Sequence, residues 1–357
     1  MKSLLGNPTC VFVSNGEVFF ADRGNHRVRK VLRNGQIVTI AGTGVKGYNG
    51  DDQPATKAQL NHPHCVLVSS QNEVYISERE GHRVRKILQN GNIVTVAGTG
   101  VGGYNGDNIP ATSAQLNCPC GIYVNDEGDE LYIADLHNHC IRKVLKNGII
   151  TTIATNTGSR LSPSGISVFR NEIYVCDQIE HYVKKIDSNG VVTTIAGTGV
   201  KGRNDCELAT ECQLYSPSGV FVTEQQEIYI ADLSNHFVRK VLTNGKIITI
   251  AGIGVDTIGY PILDNNPATS AIVDGPYSVF ADKQDIYIAG CFGNRIRKID
   301  GNGIITTNAG SVEGRRGYSG DVPFDFQKYP HIGPRKKSLI KPFPKAYHDM
   351  VIHVHTE

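Results

Sequence analysis

A proline recurs along this chain, and each of its first six occurrences opens the same succession of four short apolar runs. The positions are Pro8, Pro63, Pro119, Pro163, Pro217, Pro276 and again Pro330, so neighbouring positions differ by 55, 56, 44, 54, 59 and 54 residues. Self-similarity at such a period constrains a fold more tightly than local propensity, because each unit must be one module that packs on its neighbours. In the first unit the runs are Val11-Phe12-Val13, Glu17 to Asp22, Asn25 to Val31 and Ile37 to Gly42. Runs of about six residues rich in β-branched and aromatic side chains suit a pleated, half-buried surface. Asn34-Gly35 separates the last two runs and recurs at Asn90-Gly91, Asn147-Gly148, Asn189-Gly190, Asn244-Gly245 and Asn302-Gly303. That dipeptide supplies the positive φ of a tight hairpin. Four antiparallel strands cannot cover both of their own faces, whereas six such units packed radially can. The repeat predicts an all-β chain: a six-bladed β-propeller of four-stranded antiparallel blades over residues 1–333. A basic, proline-containing and flexible tail is expected at 334–357.

The ends of the repeat carry their own signal. Leu5-Gly6-Asn7-Pro8 matches Leu60-Asn61-His62-Pro63, and Gly317-Tyr318-Ser319-Gly320-Asp321 matches Gly47-Tyr48-Asn49-Gly50-Asp51. The pattern thus begins and ends inside a connector, which must run either into a seventh unit or back toward the first blade.

Composition limits the classes of function. The 357 residues are 39% hydrophobic and 20% charged with a net charge of +2, which excludes disorder and gives no bulk attraction to nucleic acid or membrane. No apolar stretch approaches the roughly 20 residues of a membrane span, and the first eight residues lack the apolar core of a secretory leader. The nine cysteines are an odd number, and they read as sharing no blade position in the manner of a disulfide framework. Reduced thiols and a cytoplasmic location are expected. Cys206 and Cys212, in one loop, form the one pair singled out, with free thiols expected there too.

The segment Asp22-x-x-Asn25-His26-Arg27-Val28-Arg29-Lys30, with Asn138-His139 and Asn235-His236 at the equivalent places, resembles the NHL repeat. The resemblance extends over residues 8–310. Unit two departs from it with Ser77-Glu78 and Gly81-His82, unit four with Glu180-His181, and unit six with Gly290 and Asn294. WD-repeat chains share the architecture, but this chain contains no Trp. The resemblance implies a propeller that mediates interactions. In some tripartite-motif proteins similar propellers bind RNA, and the similar amidating lyases use a metal near the channel.

Recurrence separates scaffold from site. Asp22, Asp135, Asp177 and Asp232, with His26, His82, His139, His181 and His236, stand at repeated positions, so a buried Asp–His pair balanced by a nearby Arg is expected in each blade. The basic strand-three residues, such as Arg27, Arg29 and Lys30, are expected to form a ring of paired or solvated charges. Residues that differ at one repeated position are more informative. Those following the opening prolines are Thr9, His64, Cys120, Ser164, Ser218 and Tyr277, and they are expected to line the mouth of the central channel as a binding site. His64 and Cys120, with Cys65 and Cys118, offer metal-ligand chemistry, but no Cys-x-x-Cys pair or carboxylate-backed His set accompanies them. No metal and no cofactor is therefore expected. No nucleophile elbow, P-loop or isolated acid pair is present, so no catalytic residue is assigned.

The connectors supply Tyr48, Tyr104, Tyr260 and Tyr318 as a second expected binding surface on the rim, since exposed aromatics on a rigid frame anchor protein partners. The reading is a non-catalytic scaffold that binds a protein partner through its connector face. One alternative is single-stranded RNA binding through Lys46, Lys57, Lys201, Arg203, Arg315 and Arg316. The other is a metal-dependent lyase or hydrolase at the channel. Neither a membrane partner nor an obligate oligomer is predicted.

Overall fold

Six antiparallel sheets follow one another round a central axis, each starting at a repeat proline. The structure is a computed structural model that describes residues 3–125, 127–154, 160–204, 206–255, 264–311 and 315–318. Blade 1 comprises Pro8–Ser14, Glu17–Asp22, Arg27–Val31 and Ile37–Ala41 from the axis outward. The innermost strands of the other blades are Pro63–Val68, Pro119–Val124, Pro163–Phe169, Pro217–Val222 and Pro276–Asp282. The predicted six-bladed propeller is what the chain forms. The Asn-Gly dipeptides close the hairpins between the third and fourth strands, with Gly35, Gly91, Gly148, Gly190, Gly245 and Gly303 all at positive φ.

Connectors add more than passage. In three of them a dipeptide, Gln53–Pro54, Ile109–Pro110 or Asn266–Pro267, pairs with the outer strand of the following blade and makes it five-stranded. Proline belongs there because an edge strand can spare one N–H. A short 3₁₀ turn follows each dipeptide, at Ala55–Lys57, Ala111–Ser113 and Ala268–Ser270, and buries its first alanine. Blade 4 lacks this extra strand because the connector before it has only 8 residues, 155–162.

The repeated acids hold each blade to its own entry. Asp22 accepts the Gly6 N–H at 2.7 Å, and Glu78, Asp135, Asp177 and Asp232 accept those of Asn61, Asn117, Ser162 and Tyr215. Each also meets a strand-three cation, as in Arg29–Asp22 at 3.0 Å, Arg85–Glu78 at 3.2 Å and Lys184–Asp177 at 2.7 Å. Asn25, Asn138 and Asn235 donate to the same carboxylates. The expected Asp–His pair is thus replaced by Asp–Asn–Arg, because the histidine serves the next blade instead.

That histidine is an inter-blade latch. It sits in left-handed backbone, and its Nδ1 accepts an N–H from the start of the following blade. His62 donates to His26 at 3.3 Å, and Cys118, Ser216 and Gly275 donate to His82, His181 and His236 at 3.2 Å each. Asn294 does the same with Oδ1, accepting the Asn7 N–H at 2.8 Å across the closure of the ring. His139, before the short connector, instead donates Nδ1–H to the Leu161 carbonyl, 2.8 Å away. The His carbonyl is itself overlain by a connector glycine. Gly98 lies at φ +91°, and a methyl group there would overlap the His82 oxygen.

Among the described residues closure uses no shared strand. The connector residues 315–318 return to blade 1, where Arg316 bridges Leu5 in parallel as Lys46 bridges Leu60 and Gly102 bridges Leu116. Gly317 N–H donates to the Leu5 carbonyl at 3.0 Å, and Asn25 donates to the Gly317 carbonyl at 2.6 Å. Leu5, Val11, Phe20 and Val31 of the first unit pack with Tyr287, Ala289 and Ile296 of blade 6 in one apolar cluster. Residues 315–318 therefore turn back to blade one. Residues 334–357, expected to be a tail, lie outside the described residues.

The strand-three lysines are paired as expected. Lys30–Glu17, Lys143–Glu130, Lys240–Glu227 and Lys298–Asp285 are each 2.8 Å, and Lys185–Glu172 is 2.7 Å. The cysteine expectation fails at two points. Cys206 and Cys212 are joined as a disulfide with Cα atoms 5.4 Å apart, because the loop between them doubles back on its 3₁₀ turn at Ala209–Glu211. Cys10 and Cys65 do share a blade position, each two residues after its proline. No helix among the described residues is long and apolar enough to cross a membrane.

Two predictions follow from this frame. Gly98→Ala should cost about 2–4 kcal/mol in denaturant unfolding, since the strained backbone and the His82 carbonyl both oppose a side chain. The second concerns pH. An Nδ1 that accepts an N–H must be unprotonated, and burial followed by the neighbouring His62 and Lys46 pushes His26 down to about 4. A lowered value means stability that is present above the ordinary range near 6.5 and lost as pH falls toward 4. The buried acids oppose this. Asp135 and Asp232, raised to about 6 by burial, contribute stability at low pH that is lost as pH rises through 6. His26→Asn, borrowing the Asn294 solution, should match the parent at pH 8. Between pH 6.5 and 4.5 it should lose about 1–2 kcal/mol less, the linkage being reduced for a half-exposed ring. Equal pH slopes for parent and variant would show that His26 does not report the latch.

Candidate functional site

The six residues that follow the opening prolines meet at the axis on the connector face, and all are buried there. A register shift between the proline and the strand proper turns these positions inward in every blade. Thr9 donates to the His64 carbonyl at 2.7 Å, Ser164 to Ser218 at 3.1 Å and Ser218 to Tyr277 at 2.9 Å. Ser77 donates to the Cys120 carbonyl at 2.5 Å. His64 Nε2 and the Tyr277 hydroxyl lie 3.1 Å apart, spanning blade 1 to join blades 2 and 6. The sequence-derived mouth residues therefore form a hydrogen-bonded plug across the channel.

The plug is electrically neutral. Burial, then the guanidinium groups of Arg79 and Arg23, hold His64 well below its ordinary range. Burial pushes the Cys120 thiol up to about 12 and raises Tyr277 likewise. His64 Nδ1 has no hydrogen-bond partner, although it is 3% exposed. Among the described residues no three of His, Cys, Asp and Glu gather in a way that would hold a metal ion.

Beneath the plug the channel narrows. The second residues after the prolines are Cys10, Cys65, Gly121, Gly165, Gly219 and Ser278, and they bound a cavity of about 60 Å³, enough for a few water molecules. The three glycines let neighbouring inner strands approach closely. A methyl on Gly165 would lie 2.5 Å from the Ser218 carbonyl.

On the far face the channel opens into a bowl of about 460 Å³, lined by Phe12, Leu67, Tyr123, Ser167, Phe221 and Phe280, the fourth residues after the prolines. Phe280 packs on Phe12 at 4.6 Å and on Phe221 at 4.5 Å, making one side aromatic. Glu127, Arg170 and Glu224 stand among its lining residues. Sequence reasoning assigned no role to this bowl. The signal was available, because strand alternation carries the channel-facing set from the second residue after the proline to the fourth.

The rim tyrosines are exposed and braced. Tyr48, Tyr104 and Tyr318 are 46%, 50% and 37% accessible. Arg83 stacks over Tyr48 at 3.7 Å, Arg142 over Tyr104 at 4.9 Å and Arg27 over Tyr318 at 3.7 Å. In the connector before blade 5 the pair is inverted, with Arg203 over Phe237 at 5.5 Å. Four connectors thus place one member of a cation–π pair against strand three of the next blade. Tyr260 lies outside the described residues.

The connector face also carries most of the exposed apolar surface. Val45, Val101, Val200 and Val255 occupy one repeated connector position at 57%, 59%, 58% and 45% accessibility. Ile179 and Phe292 add to it from the turns between second and third strands. Those turns lie on the same face, since Gly24, Arg79, His137, Gln178 and Ser234 each donate an N–H to the connector end of their own blade.

A family model described as NHL repeat matches residues 60–87 and 116–144, the strands and turns of blades 2 and 3. The chain is 29% identical over 244 residues to Protein SUPPRESSOR OF QUENCHING 1, chloroplastic, of Arabidopsis thaliana, covering 66% of this chain and 20% of that protein. It is 30% identical over 143 residues to NHL repeat-containing protein 2 of Gallus gallus, covering 38% and 19% respectively. The chain thus spans about a fifth of the length of these curated relatives. Among solved structures, a streptogramin B lyase superposes with a TM-score of 0.53 at 16% identity, over 87% of this chain and 85% of that one. A Bacteroides thetaiotaomicron protein of unknown function gives 0.60 at 18% identity, over 83% and 69%. These last likenesses establish the fold alone. The chain thus carries NHL repeats in blades 2 and 3 of a six-bladed β-propeller and is similar to NHL repeat-containing proteins.

Proposed function

We propose that this propeller is a non-catalytic interaction module that binds a protein partner through its connector face. The observation that carries the reading is the ring of exposed valines and braced tyrosines on that face. Soluble surfaces rarely gather large apolar side chains without a partner to cover them, and aromatic anchors on rigid supports are what interfaces use. The channel residues support the same reading, since a neutral plug of bonded His, Tyr, Ser and Thr offers neither nucleophile nor base of suitable pKa.

Single-stranded RNA binding is less well supported. Two of its six candidate cations are engaged by their own surroundings. Lys46 pairs with Glu80 at 2.9 Å, and Arg203 donates to the Gly254 carbonyl at 2.8 Å while covering Phe237. A groove that tracks a phosphate backbone needs cations free to turn to it.

The test is quantitative capture from native extract with nuclease present. The combined substitution Val45→Asp, Val101→Asp and Val200→Asp touches side chains that face solvent, so folding should persist. It should reduce recovery of nuclease-resistant partners at least about tenfold. Ile248→Asp, on an outer strand at 45% accessibility, should leave recovery unchanged. Undiminished capture by the triple variant would place the interface elsewhere, and loss of all bound material to nuclease alone would favour RNA.

A further inference from the structure

Cys10 and Cys65 come from adjacent blades and face each other across the channel waist with their sulfurs 3.1 Å apart. We infer that they form an oxidisable dithiol site, in which peroxide-class oxidants create a Cys10–Cys65 disulfide that cross-links blades 1 and 2 at the axis. Three observations converge on it. The sulfurs already touch, so reaching the roughly 2.05 Å of a disulfide needs a movement of only about 1 Å. Both thiols line the small waist cavity, and Cys65 retains partial exposure, so a small oxidant has a place to stand. The position is also singular. Three of the six blades place glycine there and a fourth places Ser278, while the paired sulfurs fall on neighbours.

The surroundings divide the two thiols into different roles. The hydrogen bond shared with Cys65 holds the Cys10 thiol below its ordinary value against the opposing effect of burial, with smaller help from the Val66 backbone and Ser278. The same contact, with burial, raises Cys65 well above its own. Cys10 is therefore the first nucleophile. Its thiolate attacks one oxygen of hydrogen peroxide, the O–O bond breaks, and a sulfenic acid forms with release of hydroxide. The Cys65 sulfur then attacks the Cys10 sulfur. Its proton and the sulfenic hydroxyl leave as water, so two thiols and one peroxide give one disulfide and two waters. Three of the five remaining free thiols provide internal controls. Burial pushes Cys120, Cys140 and Cys291 up to about 12, leaving them unreactive at neutral pH.

The experiment treats the full chain with limiting hydrogen peroxide, blocks residual thiols by alkylation and maps peptides by mass spectrometry without reduction. The expected result is a linked pair of peptides containing Cys10 and Cys65, lighter by two hydrogens than their sum and separated by dithiothreitol. Oxidation should raise the thermal midpoint of the parent; in Cys65→Ser that rise should vanish and Cys10 should halt as a sulfenic acid that dimedone traps. Should Cys65→Ser not fold, the parent cross-link remains the deciding observation. Complete alkylation of both thiols after peroxide, or a sulfenic acid on Cys10 that persists in the parent, would overturn the proposal.

Discussion

A four-stranded sheet that is apolar on both faces can rest only between two others, so no blade here is stable until the ring is shut. Closure is therefore the constraint that every other feature serves. Most of the ring is sealed by consecutive connectors, but blades 6 and 1 are separated by nearly the whole sequence. The chain bridges them by splitting one connector between its two ends: Leu5 to Pro8 on one side, 315–318 on the other. The Arg27–Tyr318 stack and the Asn25–Gly317 bond repeat across this seam what Arg83 and Tyr48 do within the chain. The seam is thus built from ordinary repeat parts, although its partners are 287 and 292 residues apart in sequence.

Within that ring, polar chemistry is arranged so that each buried group serves one boundary. The acid fixes a blade to its own entry strand, and the histidine fixes it to the next. Left-handed backbone at both ends of the histidine latch explains why Asn replaces His where the ring closes. Asn tolerates the conformation and offers an acceptor at the same reach. Opposite pKa shifts on the acids and the histidines offset one another near pH 5, so the ring spreads its titration between two sets rather than concentrating it.

What the sequence disclosed follows from this division. Blade number, strand order, hairpin turns and paired strand-three lysines were legible because each obeys a local rule repeated six times. The Asp–His pair was misread because the histidine's partner lies in the following unit, where sequence spacing gives no hint. The Cys206–Cys212 bond was missed for a related reason, since loop path rather than loop length decides whether two thiols meet. The residues Thr9, His64, Cys120, Ser164, Ser218 and Tyr277 are the ones the repeat brings to the axis. That they would bond into a plug, with the larger cavity on the opposite face, depends on side-chain sizes summed across blades.

Departure from sixfold symmetry is where this argument leads. Symmetric positions satisfy the fold, so a position that varies round the ring is released from that duty. At the axis the variation is lopsided. Blades 3 to 5 present Gly121, Gly165 and Gly219 at the waist, whereas blades 6, 1 and 2 present Ser278, Cys10 and Cys65, with Tyr277 and His64 above them. Blades 6 and 1 supply Phe280 and Phe12 to the aromatic side of the bowl, which Phe221 of blade 5 completes. The rim is lopsided in the complementary sense, since its shortest connector lies between blades 3 and 4. Backbone contact among the glycines makes one half of the axis rigid and featureless. At the waist, side-chain variety falls in the half that also contains the seam, so a change in blade 1 would alter the axis, the bowl and the closure together.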